Sequence, residues 1–192
     1  MDAITICGYM WMAWVAVWLV WALQSKQTQQ HEGIGSRMSY TVFAWASMYL
    51  MFFDKHLGGW WPNEILPFRP WMGWAAVAIT ALGFAITFWA RFTLGSNWSA
   101  AVTIKVAHEL IRTGPYRWVR HPIYTGAIVA MAGTALAREQ WKGVAAVMLL
   151  WLSFSIKRLK EEQFMRQIFG AQYIEYSRTT GAIFPMLLRR NS

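Results

Sequence analysis

The chain has 192 residues, of which 56% are hydrophobic and only 14% charged, with a formal charge of +9. Soluble domains carry about a quarter charged residues, so this composition excludes a water-exposed globule and points to a bilayer, where apolar surface needs no charged cover. The basic residues stand in clusters between apolar runs, which argues against one nucleic-acid-binding face and for loops that meet anionic headgroups.

Residues 4–23, ITICGYMWMAWVAVWLVWAL, are uncharged over about the twenty positions a helix needs to cross roughly 30 Å of hydrocarbon. This first span is expected to be retained, because Asp2 stands where a cleavable signal has a positive region and the apolar run is too long. Cys7, the single cysteine, lies within it and is read as a small lipid-buried residue. A polar stretch, QSKQTQQHEGIGSR, leads to a second span, Tyr40 to Phe53, ended by Asp54 and Lys55. The prolines, glycines and paired tryptophans of HLGGWWPNEILPFRP suit an interfacial loop. A third span follows from Trp71 to Ala90, closed by Arg91.

Beyond a polar region, IYTGAIVAMAGTALA and GVAAVMLLWLSFSI are separated only by REQWK. This pattern predicts a short, tightly packed antiparallel helical hairpin, with Gly126, Ala130, Ala132, Gly133 and Ala135 allowing close approach. The tail from Lys157 to Ser192 mixes charged and apolar positions, and its final LLRRNS suits an amphipathic segment resting on headgroups. The reading is an all-α integral membrane protein of about five transmembrane helices forming one membrane domain over 1–192. Spans one to three occupy 1–95; a cofactor-binding loop, the hairpin and a helical tail occupy 96–192. Fourteen of the eighteen Lys and Arg residues fall on one side if the N-terminus is outside and the C-terminus cytoplasmic, as the positive-inside bias requires. Short loops suit a bacterial inner membrane.

Two polar segments then lie on the same cytoplasmic side. RTGPYRWVRHPIYTG, Arg112 to Gly126, places Pro122 where its missing N–H costs little, at a first helical position. His121 stands at the entrance of span four and Tyr124 just inside it, while Gly126 is expected to leave an open patch for a ligand's flat ring. In KRLKEEQFMRQIFGAQYIEYSR, the adjacent Glu161 and Glu162 cannot serve as anchors, since anionic headgroups repel them. Neighbours on a helix point to different faces, so one carboxylate is free to look into a site while the other is solvated or pairs with a base such as Arg158.

The pair HELIRTGPYRWVRHPIYTG and EEQFMRQIFGAQYIEY resembles the signature of the isoprenylcysteine carboxyl methyltransferase family and its phospholipid methyltransferase relatives: Arg-His-Pro-x-Tyr-x-Gly, then Glu-Glu, then Phe-Gly-x-x-Tyr-x-x-Tyr. The likeness covers roughly the C-terminal half. It implies an S-adenosylmethionine site without a soluble nucleotide-binding fold. By that resemblance the cofactor contacts are His108, Glu109, Leu110 and Ile111, then Tyr116, His121, Pro122, Ile123 and Tyr124, and finally Glu161. The family's substrate-binding arginine is replaced here by Lys157, which keeps the charge but lacks the bidentate fork, so either Arg158 serves instead or the acceptor is not a carboxylate.

The residue chemistry suits this donor. A carboxylate can bind its amino group and hydroxyls, His121 or Arg120 its carboxylate, and Tyr116 or Trp118 can cover its adenine. Methyl transfer is an in-line displacement that depends on alignment and exclusion of water. Because the sulfonium loses charge in the transition state, Glu161 is expected at the far end of the cofactor, away from the methyl. An amine acceptor needs a base, for which Glu162 and His108 are candidates; a carboxylate or thiolate acceptor needs none. The acceptor must be lipophilic or amphiphilic. The His and Glu spacing does not form a zinc site. Competing classes are an NADPH-dependent membrane reductase of the sterol reductase type, disfavoured by the short chain, and a non-enzymatic membrane scaffold.

Overall fold

The computed structural model describes residues 2–22, 28–31, 33–53, 69–95, 103–105 and 110–186. His108 and Glu109 lie outside the described residues, as do the tryptophan-bearing interfacial loop and the LLRRNS end. Six α-helices are formed: α1 (Ala3–Ala22), α2 (Ile34–Phe52), α3 (Pro70–Leu94), α4 (Pro122–Arg138), α5 (Trp141–Phe169) and α6 (Ala171–Thr179). Two short strands, β1 (Thr28–His31) and β2 (Thr103–Lys105), pair antiparallel. That pairing qualifies the all-α expectation: extended segments close two polar loops against each other by backbone hydrogen bonds.

Helix boundaries follow local chemistry. Proline occupies the start of both α3 and α4, a position where its fixed φ and absent donor are harmless. Helix α2 begins at Ile34 rather than Tyr40, because nothing after Gly33 interrupts propagation. Helix α5 is the larger correction. The hairpin was expected to be short, yet its second arm runs 29 residues without a break. Leu, Lys, Glu, Gln, Met and Arg, all good helix formers, carry it past the apolar stretch until Gly170 turns the chain at φ 51°.

Close packing also differs from expectation. The small residues of α4 meet α3, not chiefly α5. A β-carbon on Gly126 would lie 2.5 Å from the carbonyl oxygen of Gly83, and one on Gly133 would lie 2.6 Å from the backbone nitrogen of Thr80. The open patch predicted at Gly126 is therefore filled by α3. Ala132 is exposed, so the small-residue face is narrower than the sequence suggested.

Hydroxyl groups pin the helices where no water competes. Trp11 donates to Thr134 at 3.0 Å, Trp14 to Thr87 at 2.8 Å, Ser47 to the Ala146 carbonyl at 2.7 Å and Ser153 to the Tyr40 carbonyl at 2.8 Å. Such bonds satisfy polar groups within an apolar interior. Around them Trp11, Met51, Phe84, Met131 and Leu150 form the core. Cys7 is buried, 3.5 Å from the Thr80 hydroxyl.

End contacts define direction. Arg91 donates to the carbonyls of Gly95 and Trp21, joining the C-terminal ends of α1 and α3. Lys160 donates to Ser36 and Ser39, joining late α5 to the start of α2. At the opposite end Arg138 donates to the Met51 carbonyl. Consequently the start of α4 and the charged extension of α5 share one end of the bundle. Among the described residues, Ala3–Ala22 and Trp71–Leu94 are long and apolar enough to cross a bilayer by themselves. Helices α2, α4 and α5 are diluted by Gly, Ala, Ser or charged residues. Helix α1 leaves Met12, Leu19 and Val20 exposed, an apolar face without protein cover.

Candidate active site

A tight corner precedes α4. Gly114 adopts φ 55° and starts a 3-10 turn, Gly114–Arg117, that buries Pro115 and Tyr116. His121 is non-helical, at φ −125° and ψ 59°, and caps α4 with its own carbonyl, which accepts from the backbone N–H groups of Tyr124 and Thr125. The imidazole is thereby aimed across at α5, where Glu161 and Glu162 project from the first turns beyond the apolar stretch.

The histidine sits between the two carboxylates. Its Nδ1 is 3.4 Å from Glu161 Oε2, and its Nε2 is 3.2 Å from Glu162 Oε1. Two acceptors on two ring nitrogens suit only the doubly protonated ring. Burial opposes the charge, but both carboxylates outweigh it and hold the pKa above the ordinary 6.5. Tyr124 donates to Glu161 Oε1 at 2.7 Å, and the rings of His121, Tyr124 and Phe154 are stacked, with centroid spacings of 5.3 and 4.4 Å. Lys157 stands 4.0 Å from Glu161 and over the Tyr40 and Tyr124 rings.

Glu162 faces a denser cation set. Its Oε1 accepts from Arg120 Nε at 3.2 Å and Nη2 at 2.9 Å, and lies 3.7 Å from Arg158; its Oε2 is 3.9 Å from Arg166. Burial pushes its carboxyl up, but His121 and Arg120 pull it down to about 2. Glu161 is likewise lowered: burial is overcome by His121, Lys157 and Tyr124. Arg120, His121, Lys157, Arg158 and Arg166 together exceed two carboxylates, leaving the site electropositive. Arg158 Nε is buried with no hydrogen-bond partner among the described residues.

The structure thus brings His121, Pro122, Tyr124, Glu161, Glu162, Lys157 and Arg158 to one place. Ile123 lies half-buried in the first turn of α4, and the half-buried Leu110 and Ile111 precede the 3-10 turn. Tyr116 is buried, and its carbonyl accepts from the Tyr176 hydroxyl at 2.6 Å. Trp118 is exposed, edge-on to Trp89 at 5.6 Å and under Arg117. Sequence reasoning missed Tyr40 and Phe154, which wall the stack, and Arg166, one turn beyond Glu162 and legible from i, i+4 spacing. A cleft of about 290 Å³, lined by Leu159, Glu162, Gln163, Arg166 and Gln167, opens beside Glu162, on a face of α5 that helical spacing turns away from Glu161.

Against known families, the phospholipid methyltransferase model matches residues 71–172, just over half the chain: α3 from its second residue and all of α4 and α5. The chain belongs to the phospholipid methyltransferase family. Individual members similar to it include the probable protein-S-isoprenylcysteine O-methyltransferase of Oryza sativa, 30% identical over 60% of this chain and 62% of that protein. The Saccharomyces cerevisiae protein-S-isoprenylcysteine O-methyltransferase is 35% identical over 51% of this chain and 42% of its own, and the Homo sapiens one 28% identical over 78% and 52%. The chain therefore spans less than two thirds of the length of these protein-S-isoprenylcysteine O-methyltransferase relatives. A solved eukaryotic intramembrane Ras methyltransferase, isoprenylcysteine carboxyl methyltransferase, shares the fold with a TM-score of 0.58 at 25% identity, covering 78% of this chain and 53% of that one. This protein is accordingly a membrane member of the phospholipid methyltransferase family.

Proposed function

We propose that the protein transfers a methyl group from S-adenosylmethionine to a lipophilic or amphiphilic acceptor, at the cytoplasmic end of a five-pass bundle. The observation that carries this reading is the His121 ring held between Glu161 and Glu162, 3.4 and 3.2 Å from them. It joins two segments of the chain into one polar site at a membrane edge. The matching ends of α1 to α5 support alternating passes with the N-terminus outside, and the basic-residue bias supports the side.

The donor set fits an amino-acid zwitterion. Glu161 and Lys157, opposed at 4.0 Å, offer one anion and one cation at a spacing too long for a strong direct pair. The orphaned Arg158 Nε offers a further donor to a carboxylate. When bound, S-adenosylmethionine supplies a methyl on a sulfonium. Glu161 holds the ammonium end, Lys157 or Arg158 holds an anionic group, and the ring stack of His121, Tyr124 and Phe154 gives a flat wall that excludes water. Glu162 is assigned to positioning His121 rather than to accepting a proton, because a carboxyl at about 2 is a poor base near neutrality. Both His121 ring nitrogens face carboxylate oxygens, so neither is turned toward an acceptor. An acceptor that arrives as an anion, such as a carboxylate, therefore fits the electropositive site better than an amine.

Thermal stabilisation of the purified protein in detergent tests this reading, since a ligand that binds only the folded form raises apparent stability. S-adenosylmethionine and S-adenosylhomocysteine are expected to shift the midpoint, NADPH is not, and Glu161→Gln removes the shift. A shift with NADPH alone refutes the methyltransferase assignment.

A further inference from the structure

Behind the His121 corner runs a stretch of chain that the reading above leaves without a purpose. After α6, Thr180 to Ile183 lies parallel to Val119–His121. The backbone N–H of Arg120 donates to the Gly181 carbonyl at 2.8 Å, and that of His121 to the Ala182 carbonyl at 3.0 Å. The Thr125 hydroxyl donates to the Ile183 carbonyl at 2.5 Å. In return the Arg120 guanidinium donates to the carbonyls of Ser177 and Thr180. Thr180, Gly181 and Ile183 are buried. A β-carbon on Gly181 would run into the Phe184 carbonyl oxygen, so only glycine allows the chain to double back at this point.

We propose that Thr180–Ile183 is a positioning strap for the donor site, with Gly181 and Thr125 as its positioning residues. The argument is local. His121 has a backbone conformation outside the helical and extended basins, and α4 has no side-chain cap. The strap's carbonyls hold the backbone N–H groups of Arg120 and His121 on one side of that conformation and the Thr125 side-chain hydroxyl on the other. Arg120 couples the strap to Glu162, so one guanidinium fixes both the corner and the carboxylate that orients the ring. None of the strap residues is among those assigned to ligand contact; their effect on the donor passes through His121. A released strap lets His121 relax toward ordinary dihedrals and turns the imidazole out from between the carboxylates.

This inference rests on the methyltransferase reading and is tested on the full chain in nanodiscs. Three variants are compared with wild type: Thr125→Val, Thr125→Ser and Gly181→Ala. Equilibrium binding of labelled S-adenosylhomocysteine is measured beside the thermal midpoint, and KM is measured separately for donor and acceptor. Thr125→Val is expected to weaken donor-site binding about tenfold, the scale of one lost buried hydrogen bond, and to raise the donor KM while leaving the acceptor KM unchanged. Thr125→Ser keeps the hydroxyl and restores binding. Gly181→Ala is expected to weaken binding at least as much and to speed amide exchange at Arg120 and His121. If Gly181→Ala fails to fold, the Thr125 pair decides. Wild-type affinity in Thr125→Val, equal losses in the Val and Ser variants, or parallel changes in both KM values overturn the strap. Wild-type protein that binds no S-adenosylhomocysteine refutes the methyltransferase reading, and the strap's role falls with it.

Discussion

Replacing Glu162 by Gln removes one negative charge and keeps the shape of the side chain. In the folded protein that carboxylate accepts two bonds from Arg120 and one from His121, with Arg158 and Arg166 within 3.7 and 3.9 Å. A carboxyl held at about 2 instead of 4.5 corresponds to about 3 kcal/mol of stability near neutrality, at about 1.4 kcal/mol per pKa unit. The side chain is only 6% exposed, so solvent screening takes little away. Independently, breaking a buried ion pair from one side costs about 3–5 kcal/mol. The two routes agree on a loss of about 3 kcal/mol, a large part of the ~5–15 kcal/mol that holds a typical domain. Reversible unfolding in mixed micelles measures it. The folded pKa is depressed, so the contribution is present above the unfolded carboxylate value of 4.5 and lost as pH falls through about 2, and the gap between wild type and variant shrinks over that window. A variant within about 0.5 kcal/mol of wild type at pH 7 refutes the positioning role. Loss of cofactor binding at unchanged stability would instead assign Glu162 to direct contact.

The α3–α4 contact and the His121 charge give two further expectations. Gly126→Leu forces a side chain against the Gly83 carbonyl and the Thr87 backbone; overpacking of this kind costs about 1–3 kcal/mol or more, visible as a lowered unfolding midpoint, and an unchanged midpoint contradicts the backbone contact. His121 is expected to titrate above its ordinary 6.5, held up by Glu161 and Glu162, as its carbon-bound ring protons report in an NMR titration. Its folded pKa is raised, so the stability it contributes is full below its unfolded value and fades as pH rises through the folded one; a titration midpoint below 6.5 excludes the bridged geometry.

The first and third helices were legible because an uninterrupted apolar run is a signal of the bilayer itself. The start of α4 was legible too, since proline at a first helical position has a mechanical reason. The whole of α5 was harder. Its apolar part ends near Ile156, and hydropathy stops there, whereas helix propensity in RLKEEQFMRQIF does not. The partner of the small-residue face was not legible: Gly126 and Gly133 announce a close neighbour but not its identity, and of the two α3 glycines Gly83 meets α4 while Gly73 meets Ala3. In the site, adjacency of Glu161 and Glu162 revealed that they diverge, yet not that one ring would bridge them. The strap escaped notice because its bonds are made by backbone, to which side-chain chemistry is blind. Gly181 was its one visible trace.

Because α5 is one unbroken rod, the height of its glutamates is set mechanically. Twenty-nine residues make a rod of about 43 Å at 1.5 Å per residue, against roughly 30 Å of hydrocarbon. In the proposed five-pass arrangement, about two to three turns of an upright α5 stand clear of the oil, and thickening or thinning of the lipid raises or sinks the carboxylates relative to headgroups. For the proposed lipophilic acceptor, reach is then coupled to lipid chain length: a molecule anchored by its tail presents its reactive end at a depth that the bilayer, as well as the protein, determines.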